Sequence, residues 1–183
     1  EKKYYNNENT ETIPNPTEID EEKCNLNTKK IIAAGRITDQ KNFEHFVYIW
    51  KKIPQEFKDW EVHIYGENFH KNKENIEKLI LENNLENNIF FKGTVSNLKL
   101  VFLDYSIFAM TSKYETFPMV LLEALSVGLP IVSYNCPTGP NRIISNNEDG
   151  FLVDYLNVDD FSIKICKLMS DEKLRLKFGE KAK

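Results

Sequence analysis

The sequence predicts an α/β domain: a doubly wound parallel sheet of about six strands, with helices on both faces. Two observations carry this. Short apolar runs alternate with segments of helical spacing about six times along the chain. The 183 residues also suit one domain, or one lobe of a larger protein, with a sizeable core.

The elements follow in order. Residues 1–28 are polar, rich in Asn, Glu and Thr, and carry Pro14 and Pro16. They are expected to form an extended entry segment or linker ahead of a domain spanning 29–183. KKIIAAG is a short apolar strand ending in Gly35. Residues 42–53 have helical spacing, with Phe43, Phe46, Val47, Ile49 and Trp50 clustered. WEVHIYG alternates and stops at Gly66, as a strand would. Residues 72–83 form an amphipathic helix through Ile76, Leu79 and Ile80, and NIFFKG is a third strand. SNLKLVFLDY opens on a capping Ser96 and predicts a helix. SIFAMTS is a fourth strand. In PMVLLEALSVG, Pro118 suits the first position of a helix that stops at Gly128. LPIVSY and GFLVDY are the last two strands, and residues 158–169 and 171–183 are the last two helices.

Composition removes several function classes. The net charge of -4 leaves no basic footprint for nucleic acid. Lys29 and Lys30 read as solvated surface. Cys24, Cys136 and Cys166 lack metal-like spacing and suggest buried or bystander thiols in a reducing compartment. The chain has neither an apolar run of membrane-spanning length nor the look of a signal peptide at its start. His45, His63 and His70 form no ligand pattern, and no Asp-x-Asp pair for a divalent cation is evident.

In doubly wound sheets, ligands sit beyond the carboxyl ends of the strands, where the strand order reverses. The loops to inspect are therefore 35–42, 66–69, 93–96, 111–119 and 134–142. In the first, Arg36 and Lys41 flank a turn expected to run straight into a helix. Two cations beside free helical N–H groups make a receptor for a diphosphate; the alternative is two exposed basic residues. In the fourth, Glu115 precedes the Pro118 helix, and the N–H groups of Phe117 and Met119 are candidates to face an anion. Glu123, eight positions after Glu115, lies within that helix, where a lone glutamate would ordinarily face solvent. A carboxylate is acceptor-only and can receive two neighbouring hydroxyls. One glutamate per ring, on either side of the phosphates, would span a nucleotide sugar. The loop NCPTGPNRII reads either as a rigid connection or as one wall of such a pocket.

The blocks GRITDQKNFEHFV, FFKGTVSNL, SKYETFPMVLLEALSVGLPIV, CPTGPNRII and NEDGFLV, in that order, resemble the C-terminal domain of the family 4 retaining glycosyltransferases, also called glycosyl transferases group 1. The likeness runs from about Lys29 to the chain end, and IPNPTEID resembles the segment linking the two lobes of that family. The resemblance implies one Rossmann-like lobe of a two-lobed GT-B architecture, binding a nucleotide-sugar donor, of which a UDP-sugar is the family habit. It implies that Arg36 and Lys41 bind the diphosphate and stabilise the departing nucleotide. Glu115 would contact the donor sugar and Glu123 the ribose. Thr116, Phe117, Pro118 and Met119 would lie along sugar and phosphates, and Gly93, Thr94 and Val95 would border the base. Gly35 belongs to the same donor-binding set.

The resemblance also implies metal-independent, retaining transfer of a sugar to an acceptor hydroxyl in glycan or polysaccharide synthesis. The acceptor, a glycan or lipid-linked molecule, would be held by an N-terminal lobe that this sequence lacks. A cytoplasmic enzyme is implied, with peripheral association at the inner membrane face. On this basis the lobe alone would not transfer sugar. One departure stands out: the usual glycine-rich, acidic turn after the second strand is YGENFH here, with Gly66 alone. A non-catalytic nucleotide-sugar binding or regulatory module on the same fold is the alternative function. An enzyme of this architecture performing phosphorolysis or sugar epimerisation is a more distant one.

Overall fold

The computed structural model describes residues 22–182. The chain runs β1 (Lys30–Ala34), α1 (His45–Trp50), β2 (Glu61–Tyr65), α2 (Asn72–Glu82), β3 (Ile89–Gly93), α3 (Leu98–Phe102), β4 (Ile107–Met110), α4 (Met119–Ser126), β5 (Ile131–Tyr134), β6 (Gly150–Val153), α5 (Val158–Ser170) and α6 (Glu172–Lys181). The strands form one sheet in the order β3-β2-β1-β4-β5-β6, every pairing parallel. This is the predicted doubly wound, Rossmann-like sheet. The chain winds outward from β1 to β3, crosses back to β4 beside β1, and winds outward the other way. The reversal therefore falls between β1 and β4.

Alternation along the strands builds two cores. Ile31, Ala33, Val62, Ile64, Ile107 and Val132 meet Phe46, Val47 and Trp50 of α1, Ile76 and Ile80 of α2, and Phe161, Ile165 and Leu168 of α5. Their neighbours Ile32, Ala34, Phe108 and Met110 meet Phe102 of α3 and Leu121, Ala124 and Leu125 of α4. Each of these fully buried large side chains contributes about 1.5–3 kcal/mol. That suffices to hold short helices with modest propensity of their own.

Three helix ends differ from expectation. The helix expected over 42–53 is regular only from His45 to Trp50. Asn42 adopts φ 55, a left-handed conformation, and donates its Nδ2 to the Thr111 carbonyl at 3.2 Å, which breaks the helix before it starts. The helix expected over 96–105 is confined to Leu98–Phe102, and its cap is Asn97, not Ser96: the Asn97 side chain accepts from the Leu100 N–H at 3.3 Å. Pro118 sits one position earlier than expected, as the N-cap of α4.

Of the entry segment expected over 1–28, residues 1–21, including the linker-like IPNPTEID, lie outside the described residues. Residues 22–28 form neither helix nor strand, but they are docked onto the domain. The Cys24 N–H bonds Val127 O at 3.1 Å, the Asn25 N–H bonds Leu103 O at 2.8 Å, and Leu26 is buried.

Candidate functional site

The loop after β1 and the loop after β4 are laced together at the sheet's carboxyl rim. The Lys113 N–H donates to Gln40 O at 2.8 Å, and Gln40 Nε2 donates back to Tyr114 O at 2.9 Å. Thr111 Oγ1 donates to Lys41 O at 3.0 Å, and Lys113 Nζ pairs with Asp39 at 2.5 Å. Asn42 completes the seam through Thr111, leaving its own Oδ1 buried without a partner. Buried backbone groups need partners, so these cross-links define where both loops can go.

The β1 exit is further fixed from the β2 side. The Gly35 N–H bonds Tyr65 O at 2.9 Å, and the Ile37 N–H bonds Glu67 O at 2.8 Å. A Cβ on Gly66 would lie 1.8 Å from the Gly35 carbonyl oxygen, and Gly66 has φ +155. Only glycine allows the two strand exits to touch at that point.

At the centre of the seam, Lys41 Nζ lies 2.6 Å from Glu115 Oε1. The pair is shielded: the lysine side chain is 17% and the glutamate 8% exposed. Ser112 Oγ donates to the same oxygen at 2.7 Å. Both donors converge on Oε1, and among the described residues Oε2 takes no partner. Nor is Oε2 one of the sealed-in orphan atoms, so it keeps some access to solvent.

The loop after β5 supports this turn from behind. The Thr138 hydroxyl bonds the Glu115 carbonyl, and Gly139, at φ +99, packs so closely that a Cβ would lie 2.6 Å from Pro118 Cδ. The loop NCPTGPNRII is thus tightly bonded, as a rigid connection would be, and it touches the Glu115–Pro118 turn. Cys136 is buried beside Glu115. Burial first, then the Glu115 charge, pushes its thiol up to about 11, so it stays protonated at neutral pH.

The remaining sequence-predicted residues are at the rim but are not joined to the pair. Arg36 is exposed, and its guanidinium makes no hydrogen bond or ion pair among the described residues. Thr116 is exposed, Phe117 and Met119 are half-buried, and Pro118 is buried. The Phe117 N–H has no hydrogen-bond partner among the described residues. Glu123 is half-buried, and its carboxylate is likewise without a partner. It lies four residues after Met119, hence on the same helical face and about 6 Å along the axis. Gly93, at φ +75, Thr94 and Val95 are exposed at the end of β3, two strand positions from β1, or about 10 Å.

The sequence analysis missed Ser112, Thr138 and Asn42. Only the three-residue interval from Ser112 to Glu115 could have signalled one of them. No group of His, Cys, Asp and Glu suited to a metal occurs among the described residues. His45 bonds Tyr134 at 3.1 Å, and His63 bonds Tyr105 at 2.7 Å and Glu61 at 2.8 Å, so both have structural partners. No described helix is long and apolar enough to cross a membrane.

Known proteins share the fold and family of this chain. The family model for glycosyl transferases group 1 matches residues 15–183. The chain is 35% identical over 155 residues to the amylovoran biosynthesis glycosyltransferase AmsD of Erwinia amylovora, covering 84% of this chain and 42% of that protein. It is 30% identical over 177 residues to the poly(ribitol-phosphate) alpha-N-acetylglucosaminyltransferase of Staphylococcus aureus, covering 96% of this chain and 36% of that protein. A crystal structure of a S. aureus TarM variant with Fondaparinux, alpha-GlcNAc-glycerol and UDP superposes with TM-score 0.89 at 28% identity, over 98% of this chain and 36% of TarM. The chain thus spans less than half the length of these relatives. The match of the family model over most of the chain shows that it belongs to the glycosyl transferases group 1.

Proposed function

We propose that this chain is the nucleotide-sugar donor-binding lobe of a retaining glycosyltransferase acting in glycan or polysaccharide synthesis. The observation that carries the proposal is the shielded Lys41–Glu115 pair at the β1–β4 reversal, 2.6 Å apart. An enclosed cation beside an enclosed carboxylate, with one oxygen of the latter open, suits a ligand that is anionic at one end and rich in hydroxyls at the other. A nucleoside diphosphate sugar is such a ligand. The UDP in the TarM complex and the N-acetylglucosaminyl transfer in the name of the S. aureus relative support a UDP-sugar.

In this account Lys41 and Arg36 receive the diphosphate, and Glu115 Oε2 accepts from a hydroxyl of the transferred sugar. Glu123 accepts from the ribose. Gly35 and the segment Thr116, Phe117, Pro118 and Met119 border the phosphates and sugar, with backbone N–H groups contributing. Gly93, Thr94 and Val95 border the base. Transfer breaks the bond between the anomeric carbon and a phosphate oxygen. Negative charge grows on the diphosphate as the sugar becomes oxocarbenium-like. Cations that meet the phosphates stabilise that charge, which is the work a divalent metal would otherwise do. The acceptor hydroxyl attacks from the leaving group's side, and no side chain of this lobe serves as a covalent nucleophile.

The acceptor, a glycan or a lipid-linked molecule, belongs to a second lobe. The complete enzyme is proposed to work in the cytoplasm, against the inner face of a membrane when its acceptor is lipid-linked. The lobe alone is proposed to bind nucleotide and transfer nothing.

Calorimetry with UDP and GDP tests the binding claim. The folded protein is expected to bind at least one of them, and Glu123→Ala to weaken that binding by about 1–3 kcal/mol, the range for removing a hydrogen-bonding partner of a bound group. Absence of heat for both nucleotides at about millimolar concentration, the weak end of useful affinity, contradicts the proposal.

A further inference from the structure

We infer that Ser112 is a positioning residue for the donor sugar, acting through Glu115; the inference rests on the donor-site function proposed above. Glu115 lies in the turn between β4 and α4, so no regular element fixes its side chain. Its rotamer is set by the two donors on Oε1, Lys41 at 2.6 Å and Ser112 at 2.7 Å. These donors are not equivalent. Lys41 is a cation next to the crevice, and a diphosphate competes for it with a larger charge than one carboxylate carries. As nucleotide binds, the Lys41 hold on Oε1 is shared.

Ser112 has no such competitor. It is 1% exposed at the end of β4, so its hydroxyl has neither water nor ligand to turn to. A neutral hydroxyl donating to a carboxylate is also a short, charge-assisted bond. Ser112 therefore keeps Oε1 turned inward while Lys41 serves the phosphates, and Oε2 stays presented to a sugar hydroxyl. The ligand class served is a sugar with a free hydroxyl directed at Oε2, attached to the diphosphate. The nucleotide alone does not use this contact.

That asymmetry gives the test. UDP is compared with whichever of UDP-glucose and UDP-N-acetylglucosamine the wild-type protein binds, by calorimetry on Ser112→Ala and Ser112→Thr. Circular dichroism and melting temperature report folding. Ser112→Ala is expected to leave UDP affinity within about twofold and to weaken the UDP-sugar about tenfold, the scale of one lost charged hydrogen bond. Ser112→Thr, which keeps the hydroxyl, is expected to restore most of the loss. In the complete enzyme, Ser112→Ala is expected to lower kcat as well as to raise KM for the donor.

Equal weakening of both ligands would mean general damage to the rim and overturns the inference, as does no weakening of either. Failure of Ser112→Thr to recover sugar binding in a folded protein also counts against it. A wild-type protein that binds neither UDP nor GDP overturns the donor-site function itself, and this inference falls with it.

Discussion

Lys41 and Arg36 sit five positions apart on one loop but in opposite environments, and their variants should differ accordingly. Lys41 is shielded and paired; Lys41→Ala strands the Glu115 carboxylate in a poorly solvated turn. We expect it to destabilise the fold by about 1–3 kcal/mol and to abolish nucleotide binding, since an unpaired buried charge is costly. Chemical denaturation checks the first effect and calorimetry the second. Arg36 is exposed and unbonded among the described residues, so Arg36→Ala should leave stability within about 0.5 kcal/mol. In the complete enzyme it should lower kcat more than it raises KM, because its contact strengthens as charge develops on the leaving group. A change confined to KM would show binding shared equally by ground and transition states.

Arg36, Lys41 and Glu115 stood out in the sequence because each lies in a loop just after a strand, where ligands gather in such sheets, and Glu123 only by its spacing from Glu115. Ser112, Thr138 and Asn42 did not. Asn42 and Thr138 act on backbone carbonyls 69 and 23 residues away, and such bonds leave no local pattern.

At the scale of elements, the strands and their order of use were readable from apolar alternation, whereas helix ends were not. The α1 segment has its apolar residues at helical spacing from Phe43, yet Asn42 is in a left-handed conformation, because its side chain is needed to tie the β1 exit to β4. Tertiary bonding overrides local periodicity there. The same lacing makes the loops sensitive to single glycines. Gly66 is the only glycine in YGENFH, and the structure assigns it a packing duty: a Cβ would collide with the Gly35 backbone at 1.8 Å. Gly66→Ala should cost about 2–4 kcal/mol, as a substitution that forces backbone apart at a left-handed position. It should also disturb nucleotide binding although Gly66 need not touch ligand. A melting curve and a UDP titration on the same variant check both. An unchanged melting temperature would mean the β1–β2 exits separate easily.

At the scale of the molecule, the ends of the domain are clamped by Arg175. This residue is buried on α6, and its guanidinium donates to Leu26 O at 2.8 Å, Leu168 O at 2.6 Å and Met169 O at 3.1 Å. It also lies 5.5 Å from the Trp60 ring centroid. The entry segment, the α5–α6 junction and the start of β2 are thereby joined at one point.

Protons act on the whole fold as well. His45 and His63 are both held below the ordinary histidine value of 6.5, in each case chiefly by burial; Lys92 adds to this at His63 and Glu61 opposes it. The unfolded chain then binds protons at these sites more readily than the folded one. Stability is expected to fall as pH drops through about 6.5 and to level off below the folded-state values. Asp149, whose carboxyl is pushed up by burial, acts in the opposite direction at lower pH. Melting temperatures at about pH 7.5 and about pH 5.5 check this, and His63→Gln should flatten the dependence.

The central claim is that the crevice where β1 and β4 diverge receives the diphosphate end of a nucleotide sugar. The most direct measurement is a titration of isotopically labelled protein with UDP, followed by amide chemical shifts. The account predicts saturable shifts at Arg36, Lys41, Glu115, Thr116, Phe117 and Glu123, with smaller ones at Gly93, Thr94 and Val95. Shifts confined to the opposite end of the sheet, or none in a folded protein at saturating nucleotide, would contradict it.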